Sequence, residues 1–287
     1  MIKFNFRGEL TGFSSQTTLS KPVEFAGVGL FSGQHCSVRM VPASVDSGII
    51  FQRMDLPGKP EIPARLEFVS ETPRCTRLMK GNGSVQMVEH LLSALRGMGI
   101  DNLKIEVQGP EIPVGDGSAQ EIVRLIEQAG IKTLNVPKKV LRIQKPVYWS
   151  EGETHLIALP FPGFRISYTL HYPHSSLIRS QYFSFLLTEQ FYKFEISPCR
   201  TFSLYEELVP MMEKGWLKGG GLENALVIQG DRILNPGGSR FPDEMVRHKA
   251  LDLIGDLALL GVHLEGHIFS VRSGHAANVA FAKELLK

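Results

Sequence analysis

Residues 246–256 read VRHKALDLIGD. Side chains three and four positions apart share one face of a helix. Val246, Ala250, Leu253, Ile254 and Leu257 fall on one apolar stripe at the 3.6-residue period. His248 and Asp252 are four apart and lie nearly opposite it; Asp256 continues their row and Lys249 flanks it. Two readings fit. One is a helix with a core face and a solvated polar face. The other is a helix whose polar face carries chemistry, because an i, i+4 His/Asp pair can reach one metal ion.

A second helix of this kind is expected over residues 84–98, SVQMVEHLLSALRGM. Its stripe is Val88, Leu91, Leu92 and Leu95, with Gly97 and Gly99 near its end, and His90 lies roughly opposite the stripe. Each main helix therefore directs a histidine away from its core side. If the two helices pack together, His90, His248 and Asp252 enter one cleft.

The rest of the chain places these helices in an α+β frame. The runs TLSKPVEFAGVGLFSG, HCSVRMVP, SGIIFQRMD and DNLKIEVQG read as strands broken by turn residues. Residues 56–83 are polar and Pro-containing, and EIPVGDG reads as a turn. Ser118 begins a helix, S-A-Q-E forming a capping box with Glu121, that ends at Gly130. KTLNVPKK, residues 132–139, is the best domain boundary. Strands then resume in VLRIQKPVYW, THLIALP and FRISYTLHY; a mixed region over residues 188–228 holds a helix near 204–214; the strand HIFSVRSG and the helix AANVAFAKELLK close the chain. Both halves run strands, helix, strand, helix, and the two main helices begin VEH and VRH. This predicts a leader over 1–16, a first α+β half over 17–134 and a second over 139–287.

Composition excludes several classes. The chain has 287 residues, 43% of them hydrophobic and 21% charged, as a globular protein with a full core requires. A net charge of +2 without a basic block gives no case for nucleic acid. No apolar run approaches a membrane span, and MIKFNFRGEL lacks a signal peptide's apolar core. Three cysteines, Cys36, Cys75 and Cys199, do not make a disulfide framework. A cytoplasmic protein is expected.

Two histidines and one carboxylate are a frequent set for a catalytic metal with an open position. Zinc suits them, and Fe(II) accepts the same triad. A metal lowers the pKa of water and polarises a carbonyl, and Glu89, beside His90, could serve as general base. His275, in VRSGHAAN, follows a strand. From the residues alone, a metal hydrolase, a non-haem Fe(II) oxygenase and a non-catalytic binding module all stay open. GVGLFSG has the wrong spacing for a dinucleotide loop, HLEGH the wrong offset for a zincin helix, and KGGG lacks the G-K-[ST] of a phosphate loop.

VEHLLSALRGMGIDN, GPEIPVGDGSA, CRTF, FPDEMVRHKALDLIGDLALLG and SGHAAN, in that order, resemble the UDP-3-O-acyl-N-acetylglucosamine deacetylase family from about Thr17 onward. The resemblance implies two α+β halves in a β-α-α-β sandwich, with helix layers between two sheets. It implies a zinc amidase of lipid A (lipopolysaccharide) biosynthesis in a Gram-negative bacterium, releasing acetate from an acylated UDP-sugar. The same resemblance would make the ligand of a non-catalytic binding module an acylated nucleotide sugar. The implied partners are that small-molecule substrate and one Zn2+ per chain, in a protein that is a monomer with no stable membrane insertion. By motif, the metal ligands are His90, His248 and Asp252, and Glu89 is the base. His275 is the electrostatic and acid partner, oriented by Asp256, and Thr201 helps hold the oxyanion. Lys249 and Phe202 contact substrate, and Tyr172 corresponds to an aromatic that stacks on the uracil. The family's acyl-tunnel insert falls at residues 204–228, with Leu208, Trp216, Leu217, Ala225 and Val227 as lining. A family lysine falls at Gln144, next to Lys145, and Cys75 in PRCTR matches a cysteine near the family's site.

Overall fold

The computed structural model describes residues 15–72 and 74–287. Up to residue 14 the expected leader lies outside them; Ser15 and Gln16 already belong to a strand, Ser15–Leu19.

Two larger sheets organise the chain. One is five-stranded, in the order Val23–Val28, His35–Pro42, Leu103–Gln108, Ile49–Arg53, Glu61–Pro63. The other runs Val147–Glu151, Thr154–Leu159, His263–Val271, Phe164–Tyr172, Arg179–Leu186, with Val140–Arg142 as a sixth strand beside His263–Val271. Along these two paths the order and sense are the same. Each has one parallel pair, Ile49–Arg53 with Leu103–Gln108 and Phe164–Tyr172 with His263–Val271; the other neighbours are antiparallel. Parallel strands need a crossover. The connections are the segments that contain the helices Glu89–Gly97 and Glu244–Ala258.

Alternation decides which strand face meets the helices. Leu103, Ile105 and Val107 point inward on one central strand; Leu264, Gly266, Ile268 and Ser270 do so on the other. The two main helices pack on each other, and the polar faces are as buried as the apolar ones: Glu89, His90, Ser93, His248, Asp252 and Asp256 are all buried. A solvated face is therefore ruled out. Gly255 sets how closely the helices approach, because a Cβ there would lie 2.1 Å from the Glu89 carbonyl oxygen. Backbone cannot yield as a side-chain tip can. Gly255→Ala is expected to lose about 3 kcal/mol, read as a lower denaturant midpoint at unchanged slope; an unshifted midpoint would contradict this contact.

Several local expectations are corrected. Residues 83–86 form the strand Gly83–Gln86, paired with Arg77–Lys80, so the helix starts only at Glu89. The capping box does not form. The Ser118 hydroxyl donates to Asp116 and accepts the Gln120 N–H, and the helix runs Gln120–Ala129 without a side-chain cap. Gly130, at φ +72°, ends it as expected. Most of the expected boundary is a strand, Ile131–Pro137, antiparallel to Ser15–Leu19. Its polar residues Lys132, Thr133 and Asn135 are exposed on a narrow two-stranded ribbon.

A polar joint forms where that ribbon meets the strand His263–Val271. Asp101 accepts from the Thr17 N–H at 2.7 Å, from the Lys138 ammonium and from His263. Burial, helped by the Arg96 and Lys138 cations, lowers the His263 imidazole to about 4, although Asp101 opposes this. In the unfolded chain it would titrate near 6.5, so that chain takes up the proton first as pH falls. The contribution is complete above about 6.5 and is lost as pH falls toward 4, an effect of about 3 kcal/mol. A melting temperature that drops over this window, and drops less in His263→Gln, is the expected result.

Candidate metal and substrate site

His90 sits in the first turn of Glu89–Gly97, and His248 and Asp252 are one turn apart on Glu244–Ala258. The facing helices bring them together. Among the described residues these three form the one group of potential metal ligands, with ligand atoms within 4.8 Å of one another. Asp252 Oδ1 lies 3.3 Å from His248 Nε2 and 3.6 Å from His90 Nε2, and it is buried without a hydrogen bond. His248 Nδ1 lies 3.0 Å from the Cys199 carbonyl, which can only accept, so Nδ1 carries a proton and Nε2 is the ring nitrogen turned toward Asp252. A buried carboxylate oxygen without a hydrogen bond, beside two imidazole nitrogens, is a donor set that fits a divalent metal of the zinc class. Asp252 Oδ2 takes the Lys249 ammonium at 2.7 Å. Burial works against the Asp252 anion, yet Lys249 and His248 hold its carboxyl well below the usual range.

Glu89 and His275 stand beside this group. Glu89 is 1% exposed, and burial pushes its carboxyl up to about 7; Asp256 and Asp252 add to the rise and His275 opposes it. His275 begins the helix His275–Glu284 rather than lying in a turn. Its Nδ1 donates to Asp256 Oδ2 at 2.8 Å, and its Nε2 is 3.8 Å from Glu89 Oε1. Burial would lower this imidazole, but Asp256 and Glu89 outweigh it and carry it up to about 9. A base and an acid thus stand side by side, separated by their surroundings.

These groups open onto a cavity of about 1030 Å³. Its lining includes Glu89, His90, His248, Lys249, Asp252, His275 and Thr201, then Tyr172 and Phe202, then Leu208, Leu217, Ala225 and Val227. Asp256 is not on this wall but sits behind His275, and four further expected positions, Trp216, Gln144, Lys145 and Cys75, also lie off it. Tyr172 and Phe202 meet edge to face at 5.8 Å. Trp216 is corrected: it is 55% exposed, with the Lys214 ammonium against its ring, and is not part of the wall. Gln144 and Lys145 are exposed and absent from it too.

The far wall is built by residues 204–228, as the helix Tyr205–Glu213, a loop and the strand Leu226–Gln229. The loop is tied to the turn after Val23–Val28 by Lys218 N–H to Phe31 O and Gly219 N–H to Leu30 O. Thr201 is held likewise: its N–H donates to the Gly117 carbonyl at 2.8 Å. Gly117 has φ +84°, and a Cβ there would lie 2.1 Å from the Asn224 carbonyl oxygen, so the GDG turn admits no side chain at that point.

Comparison with known proteins now bears on this arrangement. Residues 16–287 match the family model described as UDP-3-O-acyl N-acetylglycosamine deacetylase. The chain belongs to this family. It is similar to the UDP-3-O-acyl-N-acetylglucosamine deacetylase of Chlamydia pneumoniae, with 46% identity over 274 residues, 95% of this chain and 97% of the relative. The proteins of that name from Chlamydia felis and Chlamydia trachomatis serovar D are 45% and 43% identical over 273 residues, each match covering 95% of this chain and 97% and 95% of the relative. The α+β class expected from the sequence agrees with a deacetylase-family member. No helix among the described residues is long and apolar enough to cross a membrane.

Sequence reasoning missed residues behind the front row of this deacetylase-family site. Asn278 donates to Asp256 Oδ2 at 2.8 Å, and Thr76 donates to Asp256 Oδ1 at 2.6 Å. Arg74 pairs with Glu207 at 2.9 Å, and both line the cavity. Asn278 was within reach, three places after His275 on one helix face; Thr76 shares the PRCTR phrase with Cys75. Cys75 itself is buried off the cavity wall, and burial raises its thiol, which suits an inert packing group.

Proposed function

We propose that this chain hydrolyses the N-acetyl group of UDP-3-O-(3-hydroxyacyl)-N-acetylglucosamine, giving acetate and the free amine in lipid A biosynthesis, with zinc held by His90, His248 and Asp252. The observation that carries this reading is Asp252 Oδ1, buried and facing two imidazole nitrogens at the head of the large cavity, with Glu89 and His275 alongside. Family membership supports it, and the names of the relatives supply the substrate.

Zinc bound there would supply Lewis acidity, making water more acidic and drawing electron density from an amide carbonyl. Glu89 takes the proton of the attacking water, whose oxygen bonds to the acetyl carbon. Thr201 donates to the oxygen that gains negative charge, and the His275 imidazolium stabilises it from the opposite side. The C–N bond then breaks, and His275 passes its Nε2 proton to the departing nitrogen. Asp256 holds the other ring nitrogen and keeps the imidazole turned toward the reacting atoms. Lys249 keeps Asp252 anionic and offers a cation to the substrate. Tyr172 stacks on the uracil, Phe202 lines the sugar end, and Leu208, Leu217, Ala225 and Val227 cover the acyl chain. A water-soluble, cytoplasmic monomer is part of the same proposal.

The test is acetate release from that substrate before chelation, after it, and after about one equivalent of zinc is restored. Activity that vanishes and returns supports the reading. Inactive enzyme in both metal-loaded states overturns it.

A further inference from the structure

We propose that Thr76 is a positioning residue that couples Glu89 to the Asp256–His275 pair; this rests on the functional reading above. Thr76 is fully buried and lies between the two halves of the site. The hairpin formed by Arg77–Lys80 and Gly83–Gln86 pairs Arg77 with Gln86, which brings Thr76 alongside the start of the Glu89 helix. Its carbonyl accepts the Val88 N–H at 3.5 Å, and its N–H donates to Glu89 Oε2 at 3.0 Å. Its hydroxyl donates to Asp256 Oδ1 at 2.6 Å, across to the other main helix.

A hydroxyl has one proton to give, and a carboxylate only accepts. With that bond made, Asp256 takes three donors: Thr76 on Oδ1, and His275 Nδ1 and Asn278 Nδ2 on Oδ2. Asp256 is 1% exposed, so no bulk water replaces a lost donor. Without the hydroxyl, Oδ1 is a buried anionic oxygen that has lost its Thr76 donor, and the carboxylate plane is free to turn toward the donors that remain. His275 would turn with it, and its Nε2, now 3.8 Å from Glu89 Oε1, would leave the reacting position. The backbone N–H of Thr76 does not depend on the side chain, so Glu89 keeps its own bond. The hydroxyl therefore acts on the acid partner, while the backbone acts on the base.

Thr76→Val keeps the shape and removes the hydroxyl, and Thr76→Ser keeps the hydroxyl and removes the methyl. The expected result in zinc-loaded enzyme is a fall in kcat of roughly 10- to 100-fold for Thr76→Val, with KM and metal content unchanged. Thr76→Ser should stay within about 3-fold of wild type by the same positioning argument. In a His275→Ala background Thr76→Val should cost nothing further, because the group it positions is gone. A structural readout stands apart from activity: the low-field proton resonance of His275 Nδ1–H should move in Thr76→Val and stay in Thr76→Ser. Should Thr76→Val not fold, Thr76→Ala removes the same hydroxyl and carries the same readouts. Equal losses in Val and Ser variants, or an unmoved resonance in the hydroxyl-free variant, would overturn the proposal. An enzyme inactive on the substrate would overturn the functional reading instead and leave the resonance test standing.

Discussion

Glu89→Gln is expected to retain its metal and to lose roughly 10²- to 10⁴-fold in kcat. The substitution is isosteric in a fully packed place, since Glu89 is 1% exposed and bonded to the Thr76 N–H. An amide still accepts that N–H through its oxygen, so the helix start should hold. What the amide cannot do is take a proton. In the native chain burial raises the carboxyl to about 7, a poise at which it both ionises and binds a proton readily near neutrality. Glu89 is not one of the three clustered ligand atoms, so zinc content measured after dialysis should equal wild type. Glu89→Ala, which also opens a small void, should behave the same way. Loss of the metal from either variant would move Glu89 into the ligand set and remove it as base.

His248→Ala should lose both metal and activity. Three donors hold the site, and His248 Nε2 is the nearer imidazole to Asp252 Oδ1, at 3.3 Å against 3.6 Å for His90. Its ring is fixed by the Cys199 carbonyl, so no neighbouring group turns in to replace it. Two remaining protein ligands give an affinity at least 100-fold weaker, on the scale by which even outer-shell changes cost 10- to 100-fold. Metal content after dialysis and acetate release should fall together. Full activity in this variant would sink the metal-site model. The wild-type chain makes a linked prediction. A metal that binds the folded site and not the unfolded chain stabilises the fold, so chelation should lower the melting temperature, and added zinc should raise it in proportion to the logarithm of its concentration.

The helices and most strands were legible because they rest on local rules. The stripe Val246, Ala250, Leu253, Ile254, Leu257 obeys the helical period whatever it packs on, and the strand at Leu103–Gln108 alternates as a half-buried strand must. The failures have local causes too. At Gly83–Gln86 a short strand runs straight into a helix, and the apolar spacing of the helix was extended backward over it. That residues 132–137, read as a domain boundary, also form a strand, Ile131–Pro137, was hidden because its partner, Ser15–Leu19, is more than a hundred residues away.

For the candidate site, the pairing of His248 with Asp252 is a property of one helix turn and could be read from VRHKALD alone. The apolar stripe of the second helix gave His90, and family resemblance then carried His275 and Thr201 onto their positions. That the polar faces are buried against each other, and so lose the solvent that would have screened them, followed only from the packing of the two main helices at Gly255. The hydrogen bonds of Thr76 and the protonated nitrogen of His248 were likewise invisible in the chain. They depend on which backbone carbonyl or buried carboxylate a fold brings within 3 Å, and no spacing along a sequence encodes a contact made between distant segments.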